Sequence, residues 1–468
     1  MYVKFILPAL TEAKSPYWRP IKYSLFPPLG LATLAAYLTA DDEAVIVDEH
    51  VETIDLNDRP ELVVIQVYIT NAYRAYQLAD YYRSQGSYVA LGGLHVTALP
   101  QEAAFHADSI FLGPGEATFP KFLQDFRQRN PQRQYFASLR TLVGTRPVRR
   151  ELIKRQLYLV PNSIVVTRGC PHHCDFCYKD NFFQGGKSFY VQPVEAALRE
   201  IDRLPGRHLY FLDDHLFGHR RFAAALFKGM LGMGRIWQAA ATVDSILRDD
   251  LIEQAAAAGL RSLFIGFETL GTTALRQVNK THNLNRNYQR AIRRLHDLGI
   301  MINGSFVFGL DGDNQAVFAR TVEWAVEQGI TTATFHILTP YPGTALYQRL
   351  ATEGRILHHN WNLYDTRHVV YRPLELDAEE LQQGYDWCYS AFYSWSNIVK
   401  SAFTHSDLQH QFKHLAYAVG WKKFESLWNF IIKHQKLRYM LPLLEMVLAE
   451  IRTSQKTTKE TKEEIVNA

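Results

Sequence analysis

Two long stretches of this chain alternate short apolar, β-branched runs with helical segments, and that alternation restricts the fold more than any other feature. In residues 1–145 the runs 2–9, 44–50, 61–69, 87–93 and 108–113 read as strands. Segments 27–40 and 71–86 between them have helical spacing, with Pro27 and Pro28 ahead of the first helix and Gly86 closing the second. Strands alternating with helices predict an open parallel sheet covered on both faces, with ligands bound beyond the carboxyl ends of its strands. Residues 146–160 read as a charged, then apolar, linker. In 161–368 the alternation resumes with strands at 163–169, 207–214, 237–244, 262–268, 302–310 and 333–340. Six such units predict a partial barrel, short of the eight that close one. The strand signal stops after 368. Residues 369–452 read as aromatic, amphipathic helices, and 453–468 as a polar, disordered tail.

Composition narrows the class. With 47% apolar and 21% charged residues the chain is an ordinary globular one, and a net charge of +4 is too small to call for a nucleic-acid partner. No apolar run approaches the ~18 residues of a membrane span. The start has no basic segment followed by a cleavage site. Of four cysteines, three lie close together, which suits a metal or cluster in a reducing, cytoplasmic compartment better than a disulfide framework.

Those three carry the sharpest signal. Between Thr167 and Tyr178, Cys170, Cys174 and Cys177 are spaced CxxxCxxC on the loop after the first barrel strand. Three thiolates on one loop can hold three corners of a [4Fe–4S] cubane and leave the fourth iron open to a small molecule. Structural zinc is the competing reading. It would need a fourth ligand from His172, His173 or the distant Cys388.

With Phe176 before the third cysteine and a six-unit barrel following, residues 161–368 resemble the radical S-adenosylmethionine (SAM) enzymes. The resemblance implies that SAM chelates the open iron and that one electron from the reduced cluster breaks its C5′–S bond, giving a 5′-deoxyadenosyl radical. It also implies site residues. Phe176 and Tyr178 flank the cluster. Asp213 and Asp214, after the second strand, accept hydrogen bonds from the SAM ammonium; helix capping is their alternative role. Thr242 and Asp244 line the site at the end of the third strand. Glu268, ending the fourth, is similar to the family's polar contact to SAM; a buried carboxylate there is costly to desolvate for structure alone. Gly304 and Gly309 are similar to the family's glycine-bearing strand against the adenine. His336 and Tyr341, in and after the sixth strand, face substrate.

The first stretch resembles the cobalamin-binding domain that often precedes this barrel, on Phe26–Gly30, Gly92, Gly93, Gly115 and Glu116. Glycines at strand ends let a bulky ligand approach the backbone. Thr70 and Asn71 are expected to face the corrin. The loop from Leu7 to Ser15 lacks the histidine of a DxHxxG cobalt-ligating loop, and Asp48-Glu49-His50 follows the wrong strand and has no glycine. A corrinoid without a protein histidine on cobalt is therefore expected, the alternative being a degenerate α/β domain that has lost its cofactor and only shields the barrel; His95 reads as a hydrogen-bonded side chain. In the C-terminal region the aromatics of 384–399 and 414–434 read as helix core or as a lid over the barrel. Lys422 and Lys423 read as a solvated face, with an anionic substrate or a weak membrane-surface contact as alternatives. Cys388 reads as a small buried residue.

The expectation is a cobalamin-dependent radical SAM enzyme of α/β class: a doubly wound, Rossmann-like cobalamin domain, a TIM-like partial (β/α)6 barrel and a helical C-terminal region. It would methylate an unactivated carbon of a small-molecule, natural-product or lipid substrate, with electrons from an external donor such as flavodoxin or ferredoxin. A cyclisation, rearrangement or oxidation with the same cofactors is one alternative. A non-catalytic corrinoid or iron–sulfur sensor is another.

Overall fold

The computed structural model describes residues 1–10, 25–284, 286–420 and 440–449. Lys422, Lys423, the tail 453–468 and most of the loop after the first strand lie outside the described residues. Strands β1 (Tyr2–Leu7), β2 (Glu43–Asp48), β3 (Leu62–Gln66), β4 (Tyr88–Gly92), β5 (Ser109–Leu112) and β6 (Gln134–Phe136) form one parallel sheet, in the order β2-β1-β3-β4-β5-β6. Val3, Phe5, Leu62 and Val64 pack with residues of helices Leu29–Ala35 and Phe119–Arg127. Ile6, Val63 and Ile65 pack with helix Ala72–Ser84 on the other face. Covered on both faces, these strands read as continuous apolar runs. β6 is missing from the sequence reading because only Tyr135 of its three residues is buried, stacked 5.3 Å from Phe111. The strand order reverses between β1 and β3, so the crevice opens at the carboxyl ends there.

The second unit holds β7 (Ser163–Ile164), β8 (Thr167–Gly169), β9 (Phe189–Val191), β10 (His208–Phe211), β11 (Ile236–Ala241), β12 (Leu260–Glu268), β13 (Met301–Phe308) and β14 (Thr332–Ile337). β7, β10, β11, β12, β13 and β14 lie side by side in chain order, all parallel, as an open barrel sheet. β8 and β9 form a separate antiparallel pair. The run 163–169, one strand by sequence, is thus broken in two. The cause is Asp213: its Oδ1 accepts the backbone N–H of Val166 (3.0 Å) and of Thr167 and the Thr167 hydroxyl (2.6 Å), which turns the chain out of the ladder.

An open barrel leaves β14 with an unpaired edge, a liability for aggregation. Helix Ala378–Phe392 and the residue after it cover that edge. Tyr393 Oη accepts from Ala333 N (3.1 Å) and donates to Ala333 O (2.9 Å); Tyr389 Oη does the same for Phe335 at 3.1 and 3.2 Å. Cys388 is buried on this helix, its Sγ 3.9 Å from Phe318 O. Tyr385, Tyr389, Phe392 and Tyr393 are therefore core and edge cover, while Trp387 and Trp395 are exposed. No helix among the described residues is long and apolar enough to cross a membrane.

Helices Trp395–Ala402 and Leu408–Ala418 close over the amino-terminal end of the barrel through histidines. His405 Nε2 lies 3.2 Å from His414 Nδ1, and the His405 ring meets those of His296 and His410 at 4.5 and 6.1 Å. Burial and mutual repulsion push His296 down to about 4 and His414 down to about 3, while His410 is bonded to Asp407. Histidines held neutral in the fold take up protons when it opens. Their stabilisation is complete above the ordinary histidine value of ~6.5 and falls as pH drops towards 4. Amide protection factors of residues 395–418, corrected for intrinsic exchange, should therefore fall between pH 7 and pH 5 well beyond those of β11 and β12. Equal protection ratios at the two pH values would contradict this.

Candidate active site

The cysteine loop sits where the carboxyl ends of the barrel strands face the first domain, and it is pinned by backbone. Asp175 N donates to Val278 O (3.1 Å), Leu346 N to Asp175 O (3.0 Å), and Asn279 Nδ2 to His173 O (2.7 Å). Gly169 enters the loop with φ +73°, and a Cβ there would lie 1.9 Å from Ser188 O, so only glycine fits. Burial pushes the thiols of Cys170 and Cys174 up to about 11 and that of Cys177 up to about 12. Lys179 and Lys280 oppose that shift at Cys174, and Lys280 lies 6.0 Å over the Phe176 ring.

The donor set discriminates between metals. Among the described residues no three or more His, Cys, Asp and Glu side chains converge as a single ion requires. Cys388 lies in the outer core, His173 is bonded to Asp180 at 2.9 Å, and His172 stacks on His282 at 3.7 Å. Among the described residues the thiols are joined by no fourth ligand, which fits a cluster with one open iron better than a four-ligand zinc site.

The other expected residues divide. Asp213 is spent largely on the β7–β8 break, although its Oδ2 is buried without a partner and burial pushes its carboxyl up to about 6. Asp214 accepts from the Tyr178 hydroxyl (2.8 Å) and Gly169 N (3.2 Å). At the end of β11 Asp244 lies beside the Thr242 hydroxyl and accepts from Arg248 (2.7 Å), while His172 Nε2 and His215 Nδ1 nearby are buried and unpartnered. Such a group of orphaned atoms suits a polar ligand like SAM. Glu268 is held at φ +63° and paired with the buried Lys280. Gly304 lies inside β13 against Phe306 and Ile330, and the Gly309 carbonyl accepts from Tyr371 Oη. His336 Nδ1 lies 3.1 Å from Thr366 Oγ1, while Tyr341 faces a cavity.

Two cavities lie between the domains. One, of about 520 Å³, is lined by Gly92, Gly93, Gly115 and Glu116 from the first domain and by Arg168 and Asp214 from the barrel. The other, of about 480 Å³, takes in Thr70, His95, Tyr341 and Tyr364. Tyr68, Leu94, Tyr178 and Phe182 border both. Gly93, which lines the crevice, has φ +123°, and a Cβ there would meet Val67 O at 2.6 Å, so only glycine lets this loop pack against the end of β3. Asn71 is consumed by the turn, accepting from Tyr68 N (2.8 Å) and donating to Pro8 O (2.9 Å). His50 bonds Asp48 (2.7 Å) and Leu10 N (3.3 Å), and His95 bonds Glu102 (3.0 Å). This crevice fits a corrinoid that takes no cobalt ligand from a histidine.

Sequence reasoning missed two ion pairs. Arg168, two residues before Cys170, is bonded to Glu116 at 2.8 Å and so ties the cluster loop to the first domain. Lys280 lies twelve residues beyond Glu268 in a loop with no periodic signal. The histidine stack of His172, His215 and His282 draws on three separate loops and has no sequence signature.

A glycine-lined crevice in a doubly wound sheet, facing three open thiols on a partial barrel, defines an iron–sulfur enzyme with a second cofactor domain. Comparison with known proteins supplies the family. Residues 164–325 match the radical SAM superfamily, 23–123 the B12 binding domain, and 344–459 a domain of unknown function. The barrel is thus a radical SAM domain with a B12-binding domain ahead of it, the domains of an enzyme that uses a [4Fe–4S] cluster, SAM and cobalamin. It is 29% identical over 388 residues to bacteriochlorophyllide d C-12(1)-methyltransferase of Chlorobaculum tepidum, covering 80% of this chain and 84% of that one. It is 27% identical over 396 residues to the C-8(2)-methyltransferase of the same organism, covering 79% and 86%. The fold matches the radical SAM methyltransferase TsrM from Kitasatospora setae, solved with cobalamin and a [4Fe–4S] cluster, with a TM-score of 0.65 at 13% identity over 93% of this chain and 99% of that one.

Proposed function

We propose that the protein transfers a methyl group to an unactivated carbon of a large, mainly apolar small molecule. Bound at the cysteine loop and in the crevice, the cluster with SAM supplies a carbon-centred radical that removes a hydrogen atom, and the corrinoid supplies the methyl group. The observation that carries this reading is the shared wall of Tyr68, Leu94, Tyr178 and Phe182, across which the glycine-lined crevice and the cysteine-loop side of the barrel meet. Reacting centres held on two domains must come together at one interface, and orientation there lowers the barrier. The chain's own residues do the rest. Asp214 and Tyr178 hold the cysteine loop at that wall, the Arg168–Glu116 pair fixes the two domains in register, and the aromatic rings exclude water from a radical centre. The apolar walls, and relatives named for bacteriochlorophyllide, favour a polycyclic substrate such as a tetrapyrrole. An acidic flavodoxin or ferredoxin in the cytoplasm is the electron donor this reading requires.

The test is an anaerobic turnover with methyl-deuterated SAM, bacteriochlorophyllide d as first candidate substrate, and a chemical or flavodoxin reductant. A product heavier by one labelled methyl group, formed together with 5′-deoxyadenosine, is expected. 5′-Deoxyadenosine with an unmethylated, altered product would assign cyclisation or oxidation instead. Bound corrinoid with no SAM cleavage under any reductant would assign a sensor.

A further inference from the structure

We propose that the pocket between the domain linker and the first barrel helix binds a phosphate-bearing ligand, held by Arg146, Arg155, Arg199 and Arg203. This cavity of about 530 Å³ is separate from the thiols and lies under Leu142, Thr145 and the linker residues Arg146–Arg155, against helix Val194–Arg203. Six arginines and three glutamates line it, a local excess of three positive charges in a chain whose whole net charge is +4. All three carboxylates are already taken: Glu116 by Arg168 (2.8 Å), Glu151 by Arg149 (2.6 Å) and Glu200 by Arg150 (2.7 Å). Among the described residues no carboxylate pairs with Arg146, Arg155, Arg199 or Arg203; Arg146 Nη1 donates only to backbone, at Ala36 O (3.1 Å) and Leu38 O (3.5 Å), and its guanidinium lies 5.9 Å over the Tyr37 ring.

Two further observations point to a missing anion. Arg150 Nη1 is buried with no hydrogen-bond partner. Arg155 has only the neutral Asn162 Oδ1 at 2.8 Å, and burial with the neighbouring Arg150 cation holds its guanidinium below the usual range. Gathering like charges around a concave space costs energy unless an anion fills it. Guanidinium forks match phosphate oxygens two at a time, which a lysine cluster would not do. The cavity shares Thr33, Val148, Arg150 and Arg168 with the 520 Å³ crevice. The phosphate has two possible sources: the phosphodiester of the corrinoid's own nucleotide loop reaching across that wall, or a separate phosphorylated molecule.

The experiment is calorimetric titration of the full-length, cluster-loaded protein with inorganic pyrophosphate, repeated on the Arg199→Gln/Arg203→Gln double variant and on Arg155→Gln. Arg199 and Arg203 are exposed, so the double variant keeps the fold, which circular dichroism and iron content check. One pyrophosphate per chain is expected, with affinity reduced about tenfold or more in either variant, the scale of losing one or two charge-assisted bonds. The source is read by repeating the titration with cobalamin or with cobinamide, which lacks the nucleotide loop, already bound. Weakening by cobalamin alone assigns the corrinoid phosphodiester; no effect of either assigns a separate ligand; both support the site. Absence of pyrophosphate binding to the wild type, or unchanged affinity in both variants, overturns it. Neither result bears on methyl transfer, which rests on the other two cavities.

Discussion

Replacing any one of Cys170, Cys174 or Cys177 by alanine should remove the cluster outright: iron falls from about four per chain to near zero in protein purified without oxygen, and no 5′-deoxyadenosine forms. The reason is the donor set. Among the described residues no fourth side chain joins the three thiols as a metal group, and His173 is bonded to Asp180. A neutral imidazole such as that of His172, stacked on His282, does not replace a lost thiolate's charge. Cys388→Ala should keep both iron and SAM cleavage, because that thiol is buried beside Phe318 on the outside of the barrel. The fold should survive in the loop variants, since the loop is held by the backbone bonds of Asp175 and Leu346 rather than by sulfur. Iron and sulfide analysis with low-temperature electron paramagnetic resonance reads the result. Iron retained in a Cys174→Ala protein, or lost in Cys388→Ala, would show that the ligands are misassigned.

What could be read from the sequence follows a physical division. Local spacing is visible, so the cysteine loop and the strands ending at Gly92, Leu112, Phe211, Ala241, Glu268 and Ile337 were all accessible to periodicity. Both sheets are buried on two faces, which makes their strands apolar enough to stand out. Pairings between distant residues are invisible. Arg168 meets Glu116 across 52 residues, and neither side chain has a local reason to be there. The break between β7 and β8 arises from one carboxylate 46 residues downstream taking two backbone donors, which no propensity encodes. Asn71 lies where a corrin contact is expected, but an asparagine that satisfies its own turn looks the same in sequence as one aimed at a ligand. The C-terminal aromatics were ambiguous between lid and core because helical spacing does not say what a helix covers. Hydroxyls of Tyr389 and Tyr393 on the open edge of β14 resolve it for these two, while the aromatics of 421–434 lie outside the described residues.

The second large effect is expected at Lys280. Its ammonium is paired with Glu268, and the two side chains are only 7% and 11% exposed. Glu268 is held at φ +63° just after a register shift in β12, so it cannot swing to solvent without unmaking the strand end. Lys280→Met leaves a buried carboxylate without its cation, a loss of about 3–5 kcal/mol in comparable buried pairs. Removing both charges in Glu268→Gln/Lys280→Met should restore most of that, because the single variant's cost is mainly the stranded charge. Denaturant unfolding of the two variants reads the difference; a single variant as stable as the double would mean that water reaches the pair. The same lysine faces Cys174 and the Phe176 ring. A cation there stabilises the more negative, reduced cluster, so Lys280→Met should also show a lower cluster reduction potential in a spectroscopic redox titration, and the double variant, which loses one charge of each sign, a smaller shift. An unchanged potential with the stability loss intact would confine Lys280 to holding Glu268. A lowered potential would make it a positioning charge for the electron that starts the chemistry.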